Sequence, residues 1–314
     1  MKIIVEKLKS LPKAMALIVS IIVLFIGLIY YPVGMIMVHR IDDSPTFSAD
    51  TFEVEGGSHS VAMAIALINR EINTDKWVAS DPFFYPGSVL VRMPAFQRGI
   101  MSSISRLTIE LYDHIGRTRG SSQADADLQK ALGLLNYSPY VWMFDFSTSW
   151  LPTTSSPVQY RSGMEALKSY NKRLSQGKAV FERRADNLIE VLDRLASDLG
   201  SSSATLADHI ESRSGLSFKI SADLFYHTKG RMYGDYLLVR EMKKDFADVI
   251  KEKELENAWD QLLDSLREGM VLSNFLIINA SPDSQFFPNH LATQGFFVLR
   301  ARTQMREITN ILLK

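Results

Sequence analysis

Between Ala14 and Val38 the chain runs for 25 residues, AMALIVSIIVLFIGLIYYPVGMIMV, without a charged side chain. About 20 apolar residues in a helix cross the hydrocarbon core of a bilayer, so this run spans it with some tilt. The apolar region of a cleaved signal peptide is shorter, about 7–15 residues, and ends in a small-x-small site that is missing here. The run is also apolar all round, unlike a helix packed by one face on a soluble core. Ahead of it stand Lys2, Lys7, Lys9 and Lys13 against Glu6, a net of +3, and behind it come His39, Arg40, Asp42 and Asp43. The excess of positive charge belongs on the cytoplasmic side. The expected division is a cytoplasmic N-terminus over 1–13, a transmembrane helix in the lipid bilayer over 14–38, and an extracytoplasmic body over 39–314. Tyr30 and Tyr31 suit the interface near the far end of the span.

The body is large enough for one sizeable core. The whole chain is 46% hydrophobic and 22% charged with zero net charge, a globular balance without the basic surplus of a nucleic-acid binder. Setting aside the four lysines and one glutamate ahead of the span leaves 31 basic and 34 acidic residues, a net of −3. That mild acidity gives no electrostatic reason to lie flat on an anionic membrane. The absence of cysteine excludes disulfides, thiolate metal sites and thiol catalysis.

The dominant period is helical. Val61 to Ile72 form a wide apolar stripe that Ser58 or Ser60 is placed to cap, and Phe96, Ile100, Ile104, Leu107, Leu111 and Ile115 keep steps of three and four. Ser156 followed by Pro157 reads as a cap and first helical position. Phe181, Ala185, Leu188, Leu192, Leu195 and Leu199 form one more stripe, which Gly200 is expected to terminate, with GSSSA leading into the next cap. Its leucine steps are expected to be buried in the body rather than in a coiled coil, being under three heptads long. Three further helices are read from Ser221–Ile250, Lys253–Phe275 and Gln294–Lys314. Strand and hairpin signals are missing. The predicted fold is all-α: the N-terminal span followed by a multi-helix bundle with two long aromatic, Pro-rich loops.

Those loops are 77–95, WVASDPFFYPGSVLVRMPA, and 137–156, YSPYVWMFDFSTSWLPTTSS. Ordinary connections are short and polar, so long apolar ones are packed, functional, or both. In the second, Tyr140, Trp142, Phe144, Phe146 and Trp150 all fall at even positions around Asp145. A period of two places them on one face of an extended strap laid against the bundle, with Asp145 turned to the other. These six residues are the candidate ligand or partner contacts.

Other chemistry is weakly signalled. The six histidines show no two-His helical spacing or Glu-x-x-His signature, so no metal site is expected. No nucleophile elbow, P-loop or dinucleotide fingerprint occurs, and no cofactor is expected. Arg117, Arg119 and Ser121 in GRTRGSS precede a helix starting near Ala124 and form a candidate anion site, against the alternative of a solvated connection in which Ser121 or Ser122 caps that helix. Asp81, Asp145 and Asp283, in or beside apolar loops, are candidates for carboxylate chemistry on an envelope substrate. Residues 113–128 and 208–224 share Asp-His-Ile, a glycine at one offset and Ala-Asp-Leu, an echo of duplication or of helix-end chemistry.

GGSHSVAMAIALINREI, WVASDPFF, IGRTRGSSQADADL, FERRADNLIEVLDRLASDLGS and QGFFVLRARTQMREITNILLK resemble a bacterial inner-membrane family, domain of unknown function 2333. The resemblance implies a proteobacterial source and a single-pass inner-membrane protein with a periplasmic domain. It implies no catalytic residues. The functional expectation is a non-enzymatic envelope scaffold or regulator that binds protein partners. The alternatives are an envelope hydrolase or glycan binder using the 137–152 loop, and a lipid-binding bundle.

Overall fold

The apolar run forms one helix, α1, from Lys13–Phe25 through a π turn at Ile26–Tyr30 to Tyr31–Met37. Met15–Met37 has a mean hydropathy of 2.5 and is long and apolar enough to cross a membrane, the one such helix among the described residues. The structure, a computed structural model, describes residues 13–38, 40–116, 125–144, 150–212, 218–274, 276–281 and 284–314. The body is all-α. Its helices are α2 (His59–Asn69), α3 (Arg92–Glu110), α4 (Ala126–Leu135), α5 (Ser156–Ser175), α6 (Ala185–Glu211), α7 (Phe218–Asp245), the short α8 (Ala247–Glu252), α9 (Glu256–Val271) and α10 (His290–Leu312). No strand occurs among the described residues beyond one bridge, Asn279 to Asn289.

Side-chain contacts fix the directions of α2, α3, α6, α9 and α10 relative to α7. Ser60 of α2 meets Asp245 while Arg70, just past its end, meets Tyr233, so the two run opposite ways. On α9, Trp259 donates to the Val239 carbonyl while the Leu272 carbonyl, just past its end, accepts from Lys229, again opposite. Gly99 packs on Gly230 and Ser103 on Gly234, so α3 and α7 are parallel. Asp198 and His209 of α6 meet Arg231 and Ser221, an antiparallel pair. Opposed contacts of Gly200 with Arg302 and Gly295 with Leu206 then set α10 parallel to α7. The result is an alternating bundle. The helix ends joined through 70–91, 136–155, 212–217 and 272–289 lie at one end, here the foot. Those joined through 116–125, 176–184 and 246–255 lie at the other, the crown.

The parallel pair α3 and α7 crosses with the two backbones in contact. A Cβ on Gly99 would run into the His227 carbonyl oxygen, and one on Gly230 into the Phe96 carbonyl. Glycine at these places lets two backbones touch, as small residues do at tight helix crossings. Around this pair Phe96, Ile100, Ile104, Leu107, Leu111 and Ile115 are all buried, as their spacing predicted. Leu188, Leu192, Leu195 and Leu199 are likewise buried inside the bundle.

Four local expectations are corrected. Gly200 does not end its helix; α6 continues to Glu211. The glycine admits the Arg302 side chain of α10 instead, and the serines and threonine that follow sit inside the helix, Ser201, Ser202 and Thr205 donating their hydroxyls to carbonyls four residues back. Phe181 is buried ahead of that helix rather than on it. The cap of α4 is Asp125, which accepts from the backbone N–H groups of Asp127 and Leu128, and neither Ser121 nor Ser122. Ser155, not Ser156, is the cap position of α5; the Ser156 hydroxyl donates to the Ser138 carbonyl at 2.7 Å and fastens the second long loop. Ser58 does cap α2, accepting from the N–H of Val61.

Candidate functional site

The foot is built where α1 meets the first long loop. The Tyr30 and Tyr31 hydroxyls donate to the carbonyls of Phe84 and Phe83 at 2.9 and 2.6 Å. One turn on, Gly34 leaves room for the Pro86 ring. The helix is thus joined to the body by specific contacts as well as by the chain. Residues 43–47 then climb α7. Asp43 lies 2.6 Å from Lys229. Tyr233 donates to the Ser44 carbonyl at 3.3 Å, and Arg240 to those of Pro45 and Phe47 at 2.7 Å.

The two long loops meet each other at the foot. Trp77 donates to the Pro139 carbonyl at 3.2 Å and stands edge-on to Tyr160 at 5.2 Å between ring centroids. Phe84 and Trp142 lie edge to face at 5.3 Å, and Trp142 stacks at a tilt on Phe144 at 5.5 Å. A cleft of about 570 Å³ separates the loops, lined by Asp81, Phe84, Tyr140, Trp142 and Phe144. The 137–156 loop folds back on itself: Thr153 donates its N–H to the Met143 carbonyl at 2.8 Å, and Ser156 to that of Val141 at 3.0 Å.

The expected aromatic wall against the bundle is therefore different in its described part. Trp142 and Phe144 are half-buried, Trp142 lying against Phe84 of the first loop and Phe144 against Trp142. Tyr140 turns at Pro139–Tyr140 toward Arg98, whose guanidinium donates to its hydroxyl at 2.5 Å. Trp150 is 83% exposed. A turn beginning at Pro139 breaks the two-residue period that the spacing implied. Asp145 and Phe146 lie outside the described residues, as do Arg117, Arg119 and Ser121 and the candidate carboxylate Asp283. Asp81 has a nearly buried carboxylate 3.6 Å from Lys76, and burial pushes its pKa above the usual carboxylate range.

Above the foot, a second cleft of about 370 Å³ opens between α3, α7 and the Tyr137–Tyr140 turn. Its charges are spent on one another. Arg106 grips Asp198 through two nitrogens at 2.7 and 2.9 Å, Arg231 reaches the same carboxylate at 3.1 Å, and Arg98 pairs with Asp223. Burial pushes His227 down to about 4, helped by Arg231 and Arg98, so its ring is neutral at pH 7. Burial also raises Glu110 to about 7 and Asp235, deeper still, to about 6. Sequence reading missed this cleft. The only signal was arginine at 98 and 106 on a helix whose other face is apolar, and nothing in the spacing names the partners on α6 and α7.

At the crown, Glu53, His59 and Glu241 bring three metal-ligating atoms within 4.8 Å of one another. Glu241 already holds two cations, Arg240 at 2.7 Å and Lys244 at 2.5 Å, which compete with a metal ion there.

The exposed apolar side chains divide unevenly between the ends. Phe83, Val89, Tyr140, Trp150, Leu151, Leu276, Phe286 and Phe287 all project from foot loops. The crown loops instead carry Lys178, Glu182, Arg183 and Arg184, and Lys251 to Glu254. No curated protein and no solved structure matches the chain. Residues 6–222, well over half of it, match the model of a family described as an uncharacterized protein conserved in bacteria (DUF2333), and the chain belongs to that family.

Proposed function

We propose that this protein is a non-enzymatic scaffold or regulator of the bacterial envelope, held in the inner membrane by α1 with its N-terminus in the cytoplasm. The bundle stands foot-down on the periplasmic face and offers its crown and its Arg98–Tyr140 cleft to protein partners. The observation that carries this reading is the gathering of apolar loops at the end where α1 joins the body. Aromatic and aliphatic side chains are stable at the bilayer interface, whereas the charged crown is not. The 28 residues of α7 would lift the crown about 40 Å from the membrane at 1.5 Å per residue. Tyrosine and arginine are the side chains that most often anchor protein interfaces. The ion pairs of the cleft suit a binding surface better than a reaction centre, because each arginine is already matched by a carboxylate.

The test is photocrosslinking in cells from a reactive amino acid placed at Tyr140, with Lys178 at the crown as a second position. Discrete protein adducts at either position are expected. Turnover of an envelope glycan or peptide by the purified full chain would overturn the reading. Separately, alkaline phosphatase fused after Lys314 is expected to be active, and an inactive fusion would reverse the orientation.

A further inference from the structure

A third cleft, of about 860 Å³, lies at the foot on another side of α1. One wall is the last turns of α1, through Met35 and Ile36; the facing wall is the start of α7; Val89–Arg92 and Leu276 close the sides. Four cations line it, Arg40, Arg92, Lys219 and Lys229, against one lining carboxylate, Asp43, which lies beside Lys229. Arg92 also rests on the Tyr226 ring, 5.6 Å from its centroid, and Tyr226 is buried. Apolar surface therefore faces the end of the span, and excess positive charge sits directly above it.

We propose that this cleft holds one anionic phospholipid of the leaflet from which α1 emerges. The acyl chains lie along Ile36 and Leu276, continuous with the lipid around α1, and the phosphate faces Arg40, Arg92 and Lys219. The occupant follows from position. A wall made by the transmembrane helix opens the cleft at headgroup depth, where phospholipid is the molecule always present. Its size falls within the range of small-molecule sites, about 300–1,000 Å³. Basic pockets beside transmembrane helices recognise lipid headgroups by the same pairing of charge and apolar surface. The body's net acidity, −3 by composition, conceals this local surplus of cations.

The experiment is native mass spectrometry of the full chain released from detergent, titrated with phosphatidylglycerol or phosphatidylcholine of identical acyl chains. Phosphatidylglycerol is expected to give a one-to-one adduct that survives activation energies stripping phosphatidylcholine. Arg40→Gln with Lys219→Gln, both exposed positions, is expected to weaken that adduct at least tenfold without changing the circular dichroism spectrum. Ala222→Phe, which fills the cleft and leaves its charges, is expected to do the same. Lys172→Gln with Lys178→Gln at the crown is expected to leave it unchanged. Equal retention of the two lipids, unaltered binding by the foot variants, or an equal loss in the crown variant would each overturn the proposal. None of these outcomes bears on partner binding at Tyr140.

Discussion

Buried charge is the main hazard at the residue scale, and two carboxylates handle it in opposite ways. Asp245 sits at the C-terminal end of α7 and is buried, yet it accepts from the Ser58 and Ser60 hydroxyls and from the N–H groups of His59 and Ser60, at 2.6–2.9 Å. It supplies the acceptors that the first turn of α2 otherwise lacks. Asp245→Ala is expected to cost about 3 kcal/mol, read from denaturant unfolding in detergent, because several buried donors lose a charged acceptor at once. Glu110 is the reverse case. Its side chain is 2% exposed, with Arg106 at 3.7 Å and His114 at 3.8 Å as poorly placed partners. Burial raises its pKa from 4.5 to about 7. Between those values the folded chain keeps a proton that the unfolded chain has released, so stability falls as pH rises through the window, and the full deficit holds above it. Glu110→Gln removes the deficit. Its stabilisation over the parent is expected to be near zero at pH 4 and to grow toward pH 8, to at most about 3 kcal/mol. A difference independent of pH would rule out this cause.

Backbone proximity decides the largest effects at the element scale. Gly99→Ala and Gly230→Ala each force a methyl group against a carbonyl of the facing helix, where no rotamer relieves the clash. Each is expected to cost about 3 kcal/mol or more in unfolding free energy. Gly133→Ala is the internal control. Its position on α4 opens on empty space, so the same change is expected to stabilise by about 0.5–1 kcal/mol through helix propensity. The helices themselves were legible because their apolar stripes record one-sided burial, as at Phe96 to Ile115. The tight crossing was less legible: a G-x-x-x-G at 230–234 signals close approach, but not to which helix. Gly200 shows why stop signals mislead. Glycine ends a helix or admits a neighbouring side chain, and only the presence of Arg302 on α10 distinguishes the two. The Tyr140 strap failed for a related reason, since its alternation implied an extended segment while Pro139 and Tyr140 turn to reach Arg98. The arginine cleft joins Arg98 and Arg106 of α3 to Asp198 of α6 and Arg231 of α7, and no local pattern encodes such a meeting.

The whole molecule is organised by one asymmetry. Up-and-down connectivity places alternate loops at opposite ends, so a chain can make one end apolar and the other charged simply by alternating loop composition. The sequence shows long apolar loops at 77–95 and 137–156; the fold sets the first, with Leu276 and Ile277, beside the end of α1 and packs Trp142 of the second against the first. A helix long and apolar enough to cross a membrane was legible in the 25 uncharged residues, but the proposed upright stance rests on helix directions that only tertiary contacts supply. Because the chain lacks cysteine, single labels can be introduced without background. The most direct test of the stance is to place nitroxides at Trp150, Phe286 and Lys178 in turn, in the full chain reconstituted into bilayers. Collision with oxygen is then compared with collision with a water-soluble nickel chelate. Labels at 150 and 286 are expected to sit at headgroup depth, favouring oxygen, and the label at 178 is expected to be fully aqueous. Equal access of the nickel chelate to all three would show that the foot does not rest on the membrane.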